Sequence, residues 1–329
     1  MKAIVHGGEG LAGVSYRDFE DPVVHPGSVK IKLKAGGMNR RDLLVTKNHK
    51  PDEPPLIMGS EGAGVVEEVG EGVTNFAPGD EVMISASIGW KENSDAPPAT
   101  FKILCNPDHG TFAEYIVVPE DILEKKPAYL SWEEAAVLPL AGLTAYRAMF
   151  TRGKVKSSDT ILLPGIGSGV LTYILKFAKA IGARVIVTSR HEEKLQKALE
   201  LGADVAIPTN SDWNEELKNE TVDIVFESVG RATFNKSIGA VRKGGTIVTF
   251  GATTEDEVTI DIRNFFYGQY NLLGSTLGSH EEFVEMVAFA EKHQIKPVLD
   301  RTFKMEEYKE AFEYLRDSQN FGKLAFTME

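Results

Sequence analysis

The stretch Ile161-Leu162-Leu163-Pro164-Gly165-Ile166-Gly167-Ser168-Gly169-Val170-Leu171 decides the fold: an apolar run, a glycine-rich turn and the opening of a helix. The apolar residues suit a strand covered on both faces. The turn offers bare backbone, and the first amides of the following helix make a place for an anionic group. A helix to Ile181 and a second apolar run, Val185-Ile186-Val187, complete a strand-helix-strand unit, which requires parallel strands. The spacing departs from strict GxGxxG. A frame opened at Gly165 needs its last glycine at Val170, and one opened at Gly167 needs it at Thr172.

Outward from this unit the alternation continues. Strands are expected at residues 205–207, 223–226, 246–250 and 272–275, with helices at 192–201 and 232–241, giving six strands in an α/β, doubly wound parallel sheet. Upstream the texture is β-rich, with short β-branched runs at 30–34, 64–69, 81–85 and 113–118 separated by glycine and proline turns such as Pro78-Gly79-Asp80, the pattern of a small curled sheet or barrel. The change comes near residue 130, where Ser131 precedes Trp132-Glu133-Glu134-Ala135-Ala136 as a helix N-cap. Helices at 281–293 and 305–317 and a strand at 323–327 close the chain and are expected to return to the first domain. The division is therefore 1–128 with 278–329, and 129–277.

Composition narrows the function. At 329 residues the chain has room for about two domains. Lys and Arg number 36 against 48 Asp and Glu, a net charge of −12 that argues against nucleic acid and against a membrane surface as partners. Cys105 is the sole cysteine, so neither an intrachain disulfide nor a zinc site of several thiolates is available, and a reducing, cytoplasmic setting is expected. The first ten residues run into glycines and an acid, unlike an export signal. The uncharged run 160–175 is shorter than the ~20 residues a membrane span needs and is interrupted by Pro164 and three glycines.

The cofactor expectation comes from the second strand of the α/β unit. It ends at Thr188-Ser189-Arg190, where an NAD site would place an acid on the ribose hydroxyls. No acid is there. Ser189, Arg190 and Lys194 offer a hydroxyl and two cations suited to a 2′-phosphate, so NADPH is expected over NADH.

Gly59-Ser60-Glu61-Gly62-Ala63-Gly64-Val65-Val66-Glu67-Glu68-Val69-Gly70-Glu71-Gly72-Val73, followed by Phe76-Ala77-Pro78-Gly79-Asp80-Glu81-Val82, resembles the signature of the medium-chain dehydrogenase/reductase superfamily. Asn39-Arg40-Arg41-Asp42, the segment Leu138 to Tyr146, Ala178-Lys179-Ala180-Ile181-Gly182-Ala183 and Gly322-Lys323-Leu324 extend the likeness, which is greatest to zinc-free, quinone oxidoreductase-like members. The resemblance implies a GroES-like catalytic domain made from both chain ends, a Rossmann domain between them, and a nicotinamide cofactor. It places Gly167, Ser168, Gly169 and Val170 at the pyrophosphate, Val229, Gly230, Phe250, Gly251 and Ala252 after later strands, and Gly274, Ser275, Thr276 and Lys323 around the cofactor. It also implies a homodimer through the sheet edge near Val258-Thr259-Ile260 and Leu272.

Where zinc alcohol dehydrogenases of this superfamily place their catalytic ligands, this sequence has Asn39, Ser60 and Leu140, and where they carry a lobe of four cysteines it has only Cys105. No metal is expected. Trp90, Pro97-Pro98 and Phe101 of that lobe are expected to be packing residues, with a substrate mouth or a subunit contact as the other possibility. The seven histidines show no pair at helical metal-ligand spacing. His49 lies where some enoyl reductases place a substrate-facing segment, which makes it a candidate proton donor. Arg40-Arg41 is expected to form a salt-bridged turn, because a guanidinium does not act as an acid near neutral pH.

Without a Lewis acid, charge on a reduced carbonyl must be held by hydrogen-bond donors or spread by conjugation. The expected activity is therefore NADPH-dependent hydride transfer to a quinone or activated alkene, an enone or enal. The enolate would be met by Asn39, Thr144 or the cofactor ribose, with the proton from water or His49. Two other readings fit the same residues: a zinc-independent alcohol or aldehyde oxidoreductase, and a non-catalytic NADPH-binding sensor.

Overall fold

The computed structural model describes residues 1–328. It forms two compact units, Met1–Leu143 together with the chain from Gly278 onward, and Thr144–Leu277. Residues 129–143 go with the first unit because they are fastened to it: the Tyr129 hydroxyl donates to Ile295 O at 2.9 Å, and Lys296 pairs with Glu134 at 3.1 Å.

In the first unit β1 (Lys2–His6) lies antiparallel between β2 (Val14–Asp18) and β4 (Leu56–Ile57). The long β3 (Ser28–Met38) is the spine of a larger sheet and leads directly into α1 (Arg40–Asn48). Asn39 stands before that helix, and Asp42 closes a capping box by accepting from Asn39 N at 2.7 Å. Strand β5 (Glu61–Val69) pairs antiparallel with β3 and with β6 (Glu81–Ile84). The hairpin of β7 (Ser87–Ile88) and β8 (Lys102–Ile103) belongs to the lobe, whose Trp90 is 1 % exposed and set edge-on to Phe101, so both are packing residues. Strands β9 (Tyr115–Pro119) and β10 (Leu123–Lys125) pair with β3 and β6. Helix α2 (Trp132–Ala136) begins at Ser131, whose hydroxyl accepts from Glu134 N as its sequence requires. Helix α3 (Pro139–Tyr146) comes next.

The second unit alternates β11 (Thr160–Leu163), α4 (Gly169–Ile181), β12 (Arg184–Ser189), α5 (Glu192–Glu200), β13 (Val205–Pro208), α6 (Trp213–Glu216), β14 (Val222–Glu227), α7 (Arg231–Ala240), β15 (Val241–Thr249), α8 (Ile262–Tyr267) and β16 (Asn271–Gly274). All six strands are parallel, in the order β13-β12-β11-β14-β15-β16. This is the doubly wound Rossmann arrangement, reversing direction between β11 and β14. Leu162, Ile186, Val225 and Ile247, apolar residues of the four central strands, form its core with Phe234 and Ile238 of α7.

The chain then supplies α9 (His280–Lys292), β17 (Leu299–Lys304), α10 (Tyr308–Arg316) and β18 (Lys323–Thr327) to the first unit. β18 pairs antiparallel with β3, Leu324 opposite Met38, and parallel with β17, completing the order β10-β6-β5-β3-β18-β17 with β9 also on β3. Its core joins Ile31 and Leu33 to Phe112, Phe303 and Phe326. The expected helix at 305–317 is a short turn, Met305–Glu307, followed by α10. No helix among the described residues is long and apolar enough to cross a membrane.

Candidate functional site

Strand β3 runs between β5 and β18, which brings Glu61, at the start of β5, and Lys323, at the start of β18, to the two sides of Gly37 and Met38. Both are buried. Gly37 makes their meeting possible: a Cβ there would lie 2.6 Å from the Glu61 Oε1 and 2.6 Å from Ala136 O. Lys323 Nζ donates to Met38 O at 2.7 Å, Asn39 Oδ1 at 2.6 Å and Glu61 Oε1 at 2.8 Å, one acceptor for each of its protons. Glu61 also accepts from Asn39 Nδ2 at 2.8 Å and from Leu140 N at 2.6 Å. Two opposite charges withdrawn from water are stable only when paired and fully hydrogen-bonded, as these are.

Asp42 lies beside this cluster. Its Oδ2 caps α1, its Oδ1 has no hydrogen-bond partner, and burial pushes its pKa up to about 6. Arg41 donates to the Ser60 hydroxyl, to Leu104 O at 2.9 Å and to Cys105 O at 3.2 Å. Arg40 donates to Leu315 O at 2.9 Å, Arg316 O and the Ser318 hydroxyl, at the end of α10. The arginine pair was expected to be salt-bridged. It binds carbonyls and hydroxyls instead: Arg40 meets the carbonyls at the C-terminus of α10, which a cation satisfies, and Arg41 meets those of the Leu104–Cys105 loop.

The three positions matching zinc ligands are thus occupied by an amide that already receives an ammonium, a hydroxyl that already receives a guanidinium, and an aliphatic side chain. These residues do not fit a tetrahedral zinc: the donors are neutral and resident cations face two of them. Among the described residues no group of three or more His, Cys, Asp or Glu is gathered to hold a metal ion. Asn39 and Lys323 need correction. Both amide hydrogens of Asn39 are engaged, by Glu61 and by Gly37 O at 3.3 Å, leaving none for a substrate enolate. All three protons of Lys323 are spent within its own unit.

His49 is corrected as well. It is 6 % exposed, its Nδ1 lies 2.8 Å from His6 Nδ1 and its Nε2 lies 3.0 Å from Pro54 O, so both ring nitrogens turn into the protein and neither is placed to protonate a substrate. Thr144, the third expected catalytic residue, is buried on α3. The residue that sequence reasoning passed over is Glu61. Its signal was available: a carboxylate inside Gly59-Ser60-Glu61-Gly62-Ala63-Gly64, a run of small residues suited to a buried strand, demands a buried partner. The partner lies 262 residues away and carries no local trace.

In the second unit the expected cofactor residues fall together at one edge. Because all six strands are parallel, Gly165–Val170 after β11, Ser189–Arg190 closing β12, Val229–Gly230 after β14, Phe250–Ala252 after β15 and Gly274–Thr276 closing β16 share the carboxyl end of the sheet. Gly165 has φ +74° and Gly167 has φ +129°, conformations that favour glycine, and a Cβ on Gly165 would lie 2.7 Å from Val229. The turn is tied to β12 by Ile166 N to Thr188 O at 2.8 Å. Ser168 caps α4, whose first amides, those of Gly169 and Val170 among them, have no intrahelical acceptor. Glu227, wholly buried, accepts from Val229 N, Gly230 N, Thr233 and Ser237 and so fixes the loop after β14. Ser275 Oγ is buried without a partner. Ser189 is buried and accepts from His191 N, Arg190 is exposed, and Lys194 is one turn into α5. This edge suits a phosphate-bearing dinucleotide: backbone donors, glycine clearance and an unmet hydroxyl converge where such folds bind ligands.

Residues 25–128 match the alcohol dehydrogenase GroES-like domain and residues 169–292 match the zinc-binding dehydrogenase domain. A zinc-type alcohol dehydrogenase-like protein of Schizosaccharomyces pombe is 34% identical, covering 100% of this chain and 99% of its own. An acryloyl-coenzyme A reductase of Metallosphaera sedula is 29% identical over 99% of this chain and 100% of its own. The crystal structure of an NAD-dependent alcohol dehydrogenase superposes with a TM-score of 0.93 at 35% identity, covering 100% of both chains. With both domain types in place, in the order and topology described above, the chain belongs to the medium-chain dehydrogenase/reductase superfamily of oxidoreductases, as a zinc-type alcohol dehydrogenase-like member.

Proposed function

We propose that this protein is an NADPH-dependent, zinc-independent reductase of activated alkenes or quinones. One observation carries the reading: at the three positions where a metal would be held stand Asn39, Ser60 and Leu140, two of them already bonded to Lys323 and Arg41. A substrate that disperses its own charge by conjugation needs no Lewis acid, whereas a simple ketone needs either a Lewis acid or hydrogen-bond donors at its oxygen. The acryloyl-coenzyme A reductase among the relatives is named for a conjugated thioester.

When bound, the nicotinamide supplies the hydride, which goes to the β-carbon of the acceptor. Gly167, Ser168, Gly169 and Val170 would hold the pyrophosphate on backbone amides. Ser189, Arg190 and Lys194 would hold the 2′-phosphate, since no acid stands there to repel it. Val229, Gly230, Phe250, Gly251, Ala252, Gly274, Ser275 and Thr276 would line the remainder. By its match to the superfamily pattern, Thr144 is the side chain we place at the enolate oxygen, with water as the proton source. The protein works as a cytoplasmic homodimer through the β16 edge, where Leu272 is exposed, with Ile262, Phe266 and Tyr267 exposed on the preceding α8.

The test is NADPH consumption by chelator-treated protein against a quinone, an enone and a simple aldehyde, each repeated with NADH. Turnover of the quinone or enone that survives the chelator and prefers NADPH is the expected outcome. Aldehyde turnover alone, restored by zinc, overturns the proposal.

A further inference from the structure

We propose that His6 and His49 share one proton, forming a latch that ties the far end of α1 to β1. Hydrogen counting requires it. His6 Nε2 lies 2.9 Å from Gly10 O and His49 Nε2 lies 3.0 Å from Pro54 O. A carbonyl oxygen only accepts, so both Nε2 atoms donate. The two Nδ1 atoms lie 2.8 Å apart, and that contact needs a further hydrogen. Three hydrogen bonds therefore require three protons, while two neutral imidazoles bring two. Any neutral assignment turns a ring lone pair against another lone pair in a buried site and leaves one of the three contacts without its hydrogen. The pair accordingly carries a single positive charge.

Its surroundings favour one proton and oppose two. Val14 and Leu56, the strand partners of His6, are apolar and buried, and burial holds His6 below the ordinary imidazole range. Glu53, from the segment after α1, stands 3.8 Å from His49 Nε2 and is half-exposed. Arg17 of β2 lies near Gly7, beside Pro55. Glu9, Lys47 and Lys50 of the adjoining segments are exposed to solvent. One buried charge with one acidic neighbour is tolerable. A second would repel the first across an edge-on ring pair with centroids 4.9 Å apart.

The latch therefore opens toward high pH. Below the pair's apparent pKa the shared proton is present and the latch is closed. As pH rises through it the proton leaves, the two Nδ1 lone pairs face each other, and the hold between the Gly7–Gly13 turn, β1 and residues 49–57 weakens. Because Asn39 caps α1 and Asp42 lies in its first turn, the latch steadies from its other end the helix that carries part of the charge cluster.

The experiment uses the whole protein with ¹⁵N-labelled histidine. Long-range proton–nitrogen spectra from about pH 5 to about pH 9 should show His6 and His49 moving together in one one-proton step, with both Nε2 atoms protonated throughout. Two rings that stay neutral across that range with no joint step overturn the proposal. Amide exchange in residues 7–13 and 50–57 should rise about fivefold above the step, reporting local opening, and exchange that ignores the step overturns the latch. His49→Gln should abolish the joint step and leave those amides fast at every pH. Slow exchange in that variant at low pH also overturns it.

Discussion

The charge cluster of the first unit and the glycine turn of the second place charge by opposite means. Asn39, Glu61, Leu140 and Lys323 come from four separated parts of the chain and meet through side chains that bury an ion pair. The turn from Gly165 to Val170 is contiguous and offers backbone amides. The first arrangement stakes the stability of its unit on keeping every partner. The second can lose an exposed side chain and lose only affinity.

The sharpest way to break that comparison is Lys323→Met. Leaving Glu61 buried and ionised without its cation should cost about 3–5 kcal/mol in urea unfolding, and Glu61→Gln added to it should restore much of the loss. A Lys323→Met protein within about 1 kcal/mol of the parent would show the pair to be unimportant to stability.

Next comes Asp42. Its folded pKa, about 6, stands above the ordinary 3.8, so the unfolded chain binds fewer protons between those values and stability falls as pH rises through that window. The loss, complete above pH 6, is about 3 kcal/mol for a shift of this size. Asp42→Asn keeps an oxygen for Asn39 N and should flatten this part of the curve of unfolding free energy against pH. An unchanged slope would contradict the burial of the charged carboxylate as its cause.

The smallest effect is expected at Arg190, exposed at the end of β12. Arg190→Ala should weaken NADPH binding about tenfold, or about 1.4 kcal/mol, while leaving the NADH dissociation constant and the unfolding free energy unchanged. Equal loss for both cofactors would remove the 2′-phosphate from its assigned partner.

Much of the fold was legible because its signals are local. Val185-Ile186-Val187 is apolar at every position, as a strand covered on both faces must be, and Ser131 with Glu134 is a capping box in sequence and in space. Helix α2 reads in sequence like much of the second unit, yet its neighbours are tied to Ile295 and Lys296, which lie far along the chain. His49 was misjudged because a resemblance gives position but not orientation, and its ring turns toward His6, 43 residues upstream.

The residues alone determined the alternation of strands and helices, the glycine turn, the missing acid at Arg190 and which side chains, Asn39, Ser60 and Leu140, stand at the positions matched to zinc ligands, since each depends on residue type or on neighbours a few positions apart. The tertiary structure alone decided that Lys323 neutralises Glu61, that Asn39 spends its amide on them and that His49 faces His6. Those facts depend on which distant strands become adjacent in the sheet, and burial then forces each polar group to take the partner it finds there.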